Sequence, residues 1–173
     1  PWADPAHQRE GGIPDSLNGI FHASVGKSAL GNGEKAGQFK AIRRGWFDAG
    51  DYGQYMTNAA PVWFAVSTGL DLAPRNFRDG DLGIPESGNG IPDILDELEW
   101  GMDWALSMQD SDGGVYWRIA SQRWDEGLPG QVERPRFIFE KTTQATAVFA
   151  AMAASHARLI APWRPERSRQ VLE

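Results

Sequence analysis

Apolar and polar positions fall into a helical period over only part of this chain. Through residues 1–45 the apolar residues keep no sustained period, and segments such as Gly11-Gly12-Ile13-Pro14-Asp15 and Gly31-Asn32-Gly33 are turn chemistry. The first helix is expected over Asn58–Thr68. Asn58 is placed to cap it, Pro61 falls in its first turn and Gly69 is placed to stop it. Its successive apolar residues Val62 to Val66 predict burial on most sides. The second helix is expected over Pro92–Gln109, with Asp93, Asp96 and Glu97 at the positive end of its dipole. Ile94, Leu95, Leu98, Met102, Ala105 and Leu106 give it one apolar face. An extended piece, Val115–Ile119, follows. The third helix, Thr142–Ile160, is Ala-rich at its centre, as suits an inner helix approached closely by neighbours. A fourth begins after Pro162 and Pro165 and has too few turns to be stable without partners. The expectation is three helices and a stub, with little β-structure beyond Val115–Ile119. A sheet of four or more strands would overturn that all-α reading.

Composition narrows the chemistry. Hydrophobic residues make up 41 % of the 173, which is enough for a core. A net charge of −6 argues against a surface that tracks nucleic-acid phosphates. The absence of cysteine excludes disulfides, thiol catalysis and zinc–thiolate sites. No stretch reaches the roughly 20 apolar residues that span a bilayer. Any one Trp is ordinarily a core residue. Eight of them in an acidic chain poor in β-branched residues tilt the reading toward a carbohydrate-binding protein.

Candidate chemistry concentrates in Gly45-Trp46-Phe47-Asp48-Ala49-Gly50-Asp51-Tyr52-Gly53-Gln54-Tyr55. Ala49 and Gly50 between the two acids allow a tight turn that brings both carboxylates toward one point. Two acids on one water make a general base: one takes the proton while the other orients the water. Flanking aromatics supply surfaces on which a sugar ring can stack. Spacing alone favours a plainer alternative, in which Asp48 caps a turn and Asp51 caps the helix that follows.

This segment is similar to the Gly-Gly-Trp-Tyr-Asp-Ala-Gly-Asp-Tyr-Gly-Lys-Tyr signature of glycoside hydrolase family 9. Further matches follow in order. Ile84 to Glu97 resembles the family's approach to its next helix, and Trp104 to Gln109 the end of that helix. Asp112-Gly113-Gly114-Val115-Tyr116 resembles its Gly-Gly-Val-Tyr strand. Lys141 to Thr146, followed by Phe149-Ala150-Ala151, resembles a later Ala-rich helix. The matches cover roughly residues 45–160, and residues 1–44 match poorly.

The resemblance implies an all-α (α/α)6 barrel of twelve helices, of which this chain would hold the N-terminal portion. Residues 1–44 would be an irregular segment over the barrel, and 45–173 the beginning of a catalytic domain that stops short. It implies inverting hydrolysis of β-1,4-glucosidic bonds in cellulose or a related β-glucan, endoglucanase fashion. Asp51 would be the general base and Asp48 the acid that helps hold the water. The family's general acid is a Glu near the end of its catalytic domain, beyond any position in this chain that matches. Tyr55, Trp117 and Trp124 are the candidate substrate-stacking residues.

The implied partners are a β-glucan polysaccharide or oligosaccharide and the remaining C-terminal part of the catalytic domain, with no nucleic acid and no membrane. The implied location is secreted or periplasmic. The chain alone is expected to be inactive and poorly stable. Competing readings are an exo-acting hydrolase of β-glucan oligosaccharides or glucosaminides, and a non-catalytic sugar-binding fragment.

Arg44, Phe47 and Gln54 depart from the family's Gly, Tyr and Lys, and Trp117 stands where many relatives have His. No cofactor is required for the chemistry. Structural calcium is a further expectation at Asp79, Asp81, Glu86 and Asn89, oxygen ligands clustered before a helix; a solvated acidic loop capped by Asn89 is the plainer alternative. Without cysteine, the Cys/His zinc site of some relatives cannot exist in its usual form. His7, His22 and His156 carry no assigned role.

Overall fold

The computed structural model describes residues 18–22, 35–124 and 134–173. His7 and the turns at Gly11–Asp15 and Gly31–Gly33 lie outside the described residues. The elements in chain order are strands β1 (Asn18–Phe21) and β2 (Gln54–Tyr55), helix α1 (Met56–Leu72), a 3-10 turn at Pro74–Asn76, helix α2 (Asp93–Ser107), strands β3 (Arg118–Ala120) and β4 (Arg136–Ile138), and helices α3 (Thr143–Ile160) and α4 (Pro165–Gln170). None of the described helices is long and apolar enough to cross a membrane.

All three long helices stand near their expected places, and their ends differ for local reasons. Helix α1 starts two residues before the expected Asn58. Strand β2 feeds it directly, and the Met56 N–H is taken by the Trp117 carbonyl at 2.9 Å. Its N-cap is therefore Tyr55, with no side-chain cap, and Asn58 is free for another use. Gly69 does not stop the helix. It leaves room for the Phe77 ring, whose Cζ would lie 3.4 Å from a Cβ added there. Helix α2 keeps Pro92 as its N-cap instead of its first residue. Helix α3 begins one residue later than expected, because Thr142 is its N-cap, with Oγ1 accepting the Ala145 N–H at 3.0 Å.

The expectation of little β-structure is corrected. The four strands form one sheet in the order β1-β4-β3-β2, with β1 parallel to β4 and the other pairs antiparallel. The described residues are thus helical with a small four-stranded sheet rather than all-α, and their helices do not close a barrel. Each strand is two to four residues long, too short for an alternating pattern to register. The expected extended piece slides by a few residues. Val115 and Tyr116 make only single bridges, to Gln109 and Lys141, and β3 begins at Arg118. The expected irregularity of 1–44 also gives way, since β1 lies inside that segment and joins the same sheet.

Helix α3 is the hub. It packs on α1, α2 and α4. Trp63, Leu95, Leu98, Met102, Trp104, Ala145, Met152 and Ile160 close the core between the helices, and Ile119 and Ile138 carry it onto the sheet. The expected burial of α1 on most sides is not met among the described residues. Trp63 is fully buried, while Val62 and Phe64 on the same helix are 53 % and 40 % exposed. The outer side of α3, with Ala147, Ala150, Ala151 and Ala154, is likewise exposed.

Candidate active site

The Asp48–Tyr55 segment is a closed turn at the mouth of the sheet. The Asp48 N–H donates to the Gly53 carbonyl at 2.8 Å, and the Tyr52 N–H to the Ala49 carbonyl at 3.0 Å. Tyr52 takes a left-handed backbone, φ 53°, and Arg44, just before the motif, takes φ 64°. Such conformations in non-glycine residues cost on the order of 1–3 kcal/mol each and persist where their surroundings over-determine them. Gly53 is required by close approach: a Cβ there would stand 2.5 Å from the Tyr55 ring.

The two carboxylates are held differently. Asp51 Oδ1 accepts the Gly53 N–H at 3.0 Å, an Asx turn within its own loop, and Oδ2 accepts the Tyr55 hydroxyl at 3.1 Å. Asp48 is exposed, and its Oδ1 accepts the Asn58 side-chain amide at 3.0 Å. Asp51 does not cap α1, so the helix-capping part of the plainer alternative is not met. Neither carboxylate is ion-paired among the described residues.

A cavity of about 140 Å³ opens over this turn, lined by Trp46, Phe47, Asp48, Tyr55, Asn58, Ala59 and Val62. Asp48 and Tyr55 both line it, and Asp51 is joined to it through the Tyr55 hydroxyl. Burial and then the negative charge of Asp51 push the Tyr55 phenol above its ordinary value, so Tyr55 stays a donor to that carboxylate. Trp46 is fixed by its indole N–H donating to Glu97 Oε1 at 2.6 Å.

Trp117 lies beside Tyr55, ring centroids 5.8 Å apart, with the Arg118 guanidinium 4.5 Å from its ring. Trp124 is 63 % exposed and leans over Gly50, its Cζ2 3.3 Å from where a Cβ would be. Tyr55 is therefore in the cavity wall, while Trp117 and Trp124 flank the turn outside that wall. Trp46 and Phe47, flanking aromatics of the motif, form part of that wall, and Asn58 joins them from the first turn of α1. For Asn58 the available signal, a polar residue just ahead of an apolar run, pointed to a cap.

The acidic loop before α2 has different chemistry. Asp79 accepts the Gly88 and Gly90 N–H groups at 2.5 and 2.6 Å, and Asp81 accepts the Arg78 N–H at 2.7 Å. Asn89 bonds Ile91 N and Asp96 instead of capping α2. Among the described residues no group of three or more His, Cys, Asp or Glu is gathered as a metal site would need.

Comparison with known proteins adds the context. The family model described as Glycosyl hydrolase family 9 matches residues 6–173. A xyloglucan-specific endo-beta-1,4-glucanase of Bacteroides ovatus is 32 % identical over 160 residues, covering 91 % of this chain and 26 % of the relative. Endoglucanase C of Cellulomonas fimi is 35 % identical over 146 residues, covering 76 % of this chain and 13 % of the relative. The crystal structure of a metagenome-derived glycoside hydrolase family 9 endoglucanase superposes with a TM-score of 0.82 at 39 % identity, covering 90 % of this chain and 28 % of that one. The chain thus spans about a quarter or less of the curated relatives' length. The structural likeness implies the (α/α)6 barrel family.

Proposed function

The chain belongs to glycosyl hydrolase family 9, and on that footing we propose that it carries the base side of an inverting β-1,4-glucan hydrolase. The supporting observation is the Asp48–Asp51 turn beside an aromatic-walled cavity, with each carboxylate held by neutral donors and open to further hydrogen bonds. In this reading a water sits between the carboxylates and the anomeric carbon of a bound sugar. Asp51 takes one proton from that water as its oxygen attacks, and Asp48 accepts the second hydrogen bond and fixes the water's direction. The bond to the leaving sugar oxygen breaks as a carboxylic acid on the other side of the chain protonates it. Inversion needs room for the water, with the acid about 6.5–9.5 Å from the base. That acid is proposed to come from a part of the catalytic domain outside residues 1–173.

The substrate is proposed to be a β-1,4-glucan backbone cut internally, bare as in cellulose or substituted as in the xyloglucan named for the Bacteroides ovatus relative. The decisive measurement uses the complete catalytic domain that contains this chain. The first product from a soluble β-glucan, followed by proton NMR, is expected as the α-anomer. A β-anomer would mean retention and would remove the water-activating role from Asp51. The polypeptide of residues 1–173 alone is expected to release no reducing sugar; turnover by it would place the acid within this chain.

A further inference from the structure

Two non-glycine residues with left-handed backbone, Arg44 and Tyr52, bracket the segment that carries both carboxylates. Both of their carbonyls are gripped from beneath by a buried polar pair. Gln54, 1 % exposed, donates its side-chain amide to the Arg44 carbonyl at 2.7 Å. Arg136, also 1 % exposed and 82 residues further along on β4, donates Nη2 to the Tyr52 carbonyl and, at 3.2 Å, to the Ile119 carbonyl. Its Nη1 reaches Gln54 Oε1 at 3.5 Å. Its guanidinium also lies 5.5 Å from the ring of Phe47, the wall residue next to Asp48.

We propose that Arg136, acting with Gln54, is a positioning residue for the Asp48–Asp51 turn: its guanidinium fork holds Tyr52 left-handed and so sets the direction of Asp51. The inference rests on the proposed function for its catalytic consequence and on geometry alone for its structural one. A planar guanidinium can serve two carbonyls and an amide oxygen at once; a lysine ammonium at that depth has neither the fork nor the reach. A tyrosine at φ 53° tends to relax toward negative φ once its carbonyl is released, and that rotation would carry the adjacent Asp51 with it.

The test uses the complete enzyme containing this chain, with Arg136→Lys, Tyr52→Gly and the double variant. Arg136→Lys is expected to fold cooperatively and to lose at least tenfold in kcat, with KM within about twofold. Tyr52→Gly in the Arg136→Lys background is expected to recover several-fold of that loss, since glycine holds positive φ unaided. Should Arg136→Lys fail to fold, Gln54→Met paired with Arg44→Gly gives the same comparison from the other carbonyl. Amide hydrogen exchange reads the geometry without activity. The Asp48 and Tyr52 amides are expected to exchange at least tenfold faster in Arg136→Lys and to slow again in the double variant, with core amides unmoved. A wild-type enzyme without hydrolase activity would sink the proposed function and leave the exchange result to decide this inference. Wild-type kcat in a folded Arg136→Lys enzyme, absence of recovery in the double variant, or exchange that quickens everywhere alike would overturn it.

Discussion

Two loops of this protein are built from the same materials, and they spend their carboxylates in opposite ways. Asp48–Tyr55 and Asp79–Asp93 are both rich in Gly and Asp, and both lead into a helix. In the second, backbone N–H groups take up the acids. Asp93 is fully buried and accepts Gly80 N, Leu82 N and the Ser87 hydroxyl within 2.9 Å, while Asp79 uses both oxygens on Gly88 and Gly90. In the first, the turn is closed backbone to backbone, and the carboxylates are held mainly by side chains, Asn58 and Tyr55. An acid saturated by backbone donors organises its own loop. An acid steadied by one or two side chains at a cavity keeps capacity for a water or a sugar hydroxyl.

Removing one acid from each loop separates the two roles most clearly. Asp51→Ala in the complete enzyme is expected to lower turnover by about 10²–10⁴-fold while leaving the thermal transition nearly in place. Retained activity would put the base elsewhere. Asp93→Asn should do the reverse. Removing a buried charged acceptor of several donors is expected to cost about 2–4 kcal/mol in chemical unfolding, with turnover of the folded enzyme little changed. Burial pushes the Asp93 carboxyl up, but the hydrogen bonds from Gly80, Leu82 and Ser87 outweigh it and hold the group below its ordinary 3.8. A depressed folded value means the stabilisation is full above that ordinary value and is lost as pH falls through the folded one. The gap between wild type and Asp93→Asn should therefore be widest above about pH 4 and shrink on acidification. A gap that widens in acid would contradict the assignment.

What the sequence made legible follows the range of the interactions. Helices α1, α2 and α3 were readable because apolar spacing is a local signal; the face of α2 with Leu95, Leu98, Met102 and Ala105 is such a case. The paired acids and the tight spacer were readable for the same reason. The sheet was not, because Asn18–Phe21 finds its partner in Arg136–Ile138 across most of the chain, and no short window holds both. Arg136 was missed likewise, since its meaning lies in carbonyls 17 and 84 residues away. Asn58 was misassigned as a cap because its partner, Asp48, sits on the far side of β2.

Asn58→Leu sharpens the contrast within the first loop, because it removes the side-chain donor to Asp48 without touching Asp51. The lost bond is neutral donor to carboxylate at an exposed site, so turnover is expected to fall only about threefold to tenfold. The measurement is kcat of the complete enzyme beside Asp51→Ala. A loss as large as that of Asp51→Ala would make Asp48, rather than Asp51, the acid whose position limits the reaction.

Trp124→Ala should give the smallest effect and tests what the aromatics outside the cavity wall do. Trp124 is 63 % exposed and covers Gly50, so it has two available roles. As a stacking surface for a sugar it would strengthen binding without taking part in proton transfer. Losing a contact of that kind, about 0.5–1.5 kcal/mol, raises KM twofold to tenfold and leaves kcat unchanged. As a weight on the turn, Trp124 would act through the Asp48–Asp51 geometry, and its loss would lower kcat with KM unmoved. Steady-state kinetics on a soluble cello-oligosaccharide separate the two. The exposure of the ring favours the first outcome, and a pure kcat loss would reassign Trp124 to the support of the turn.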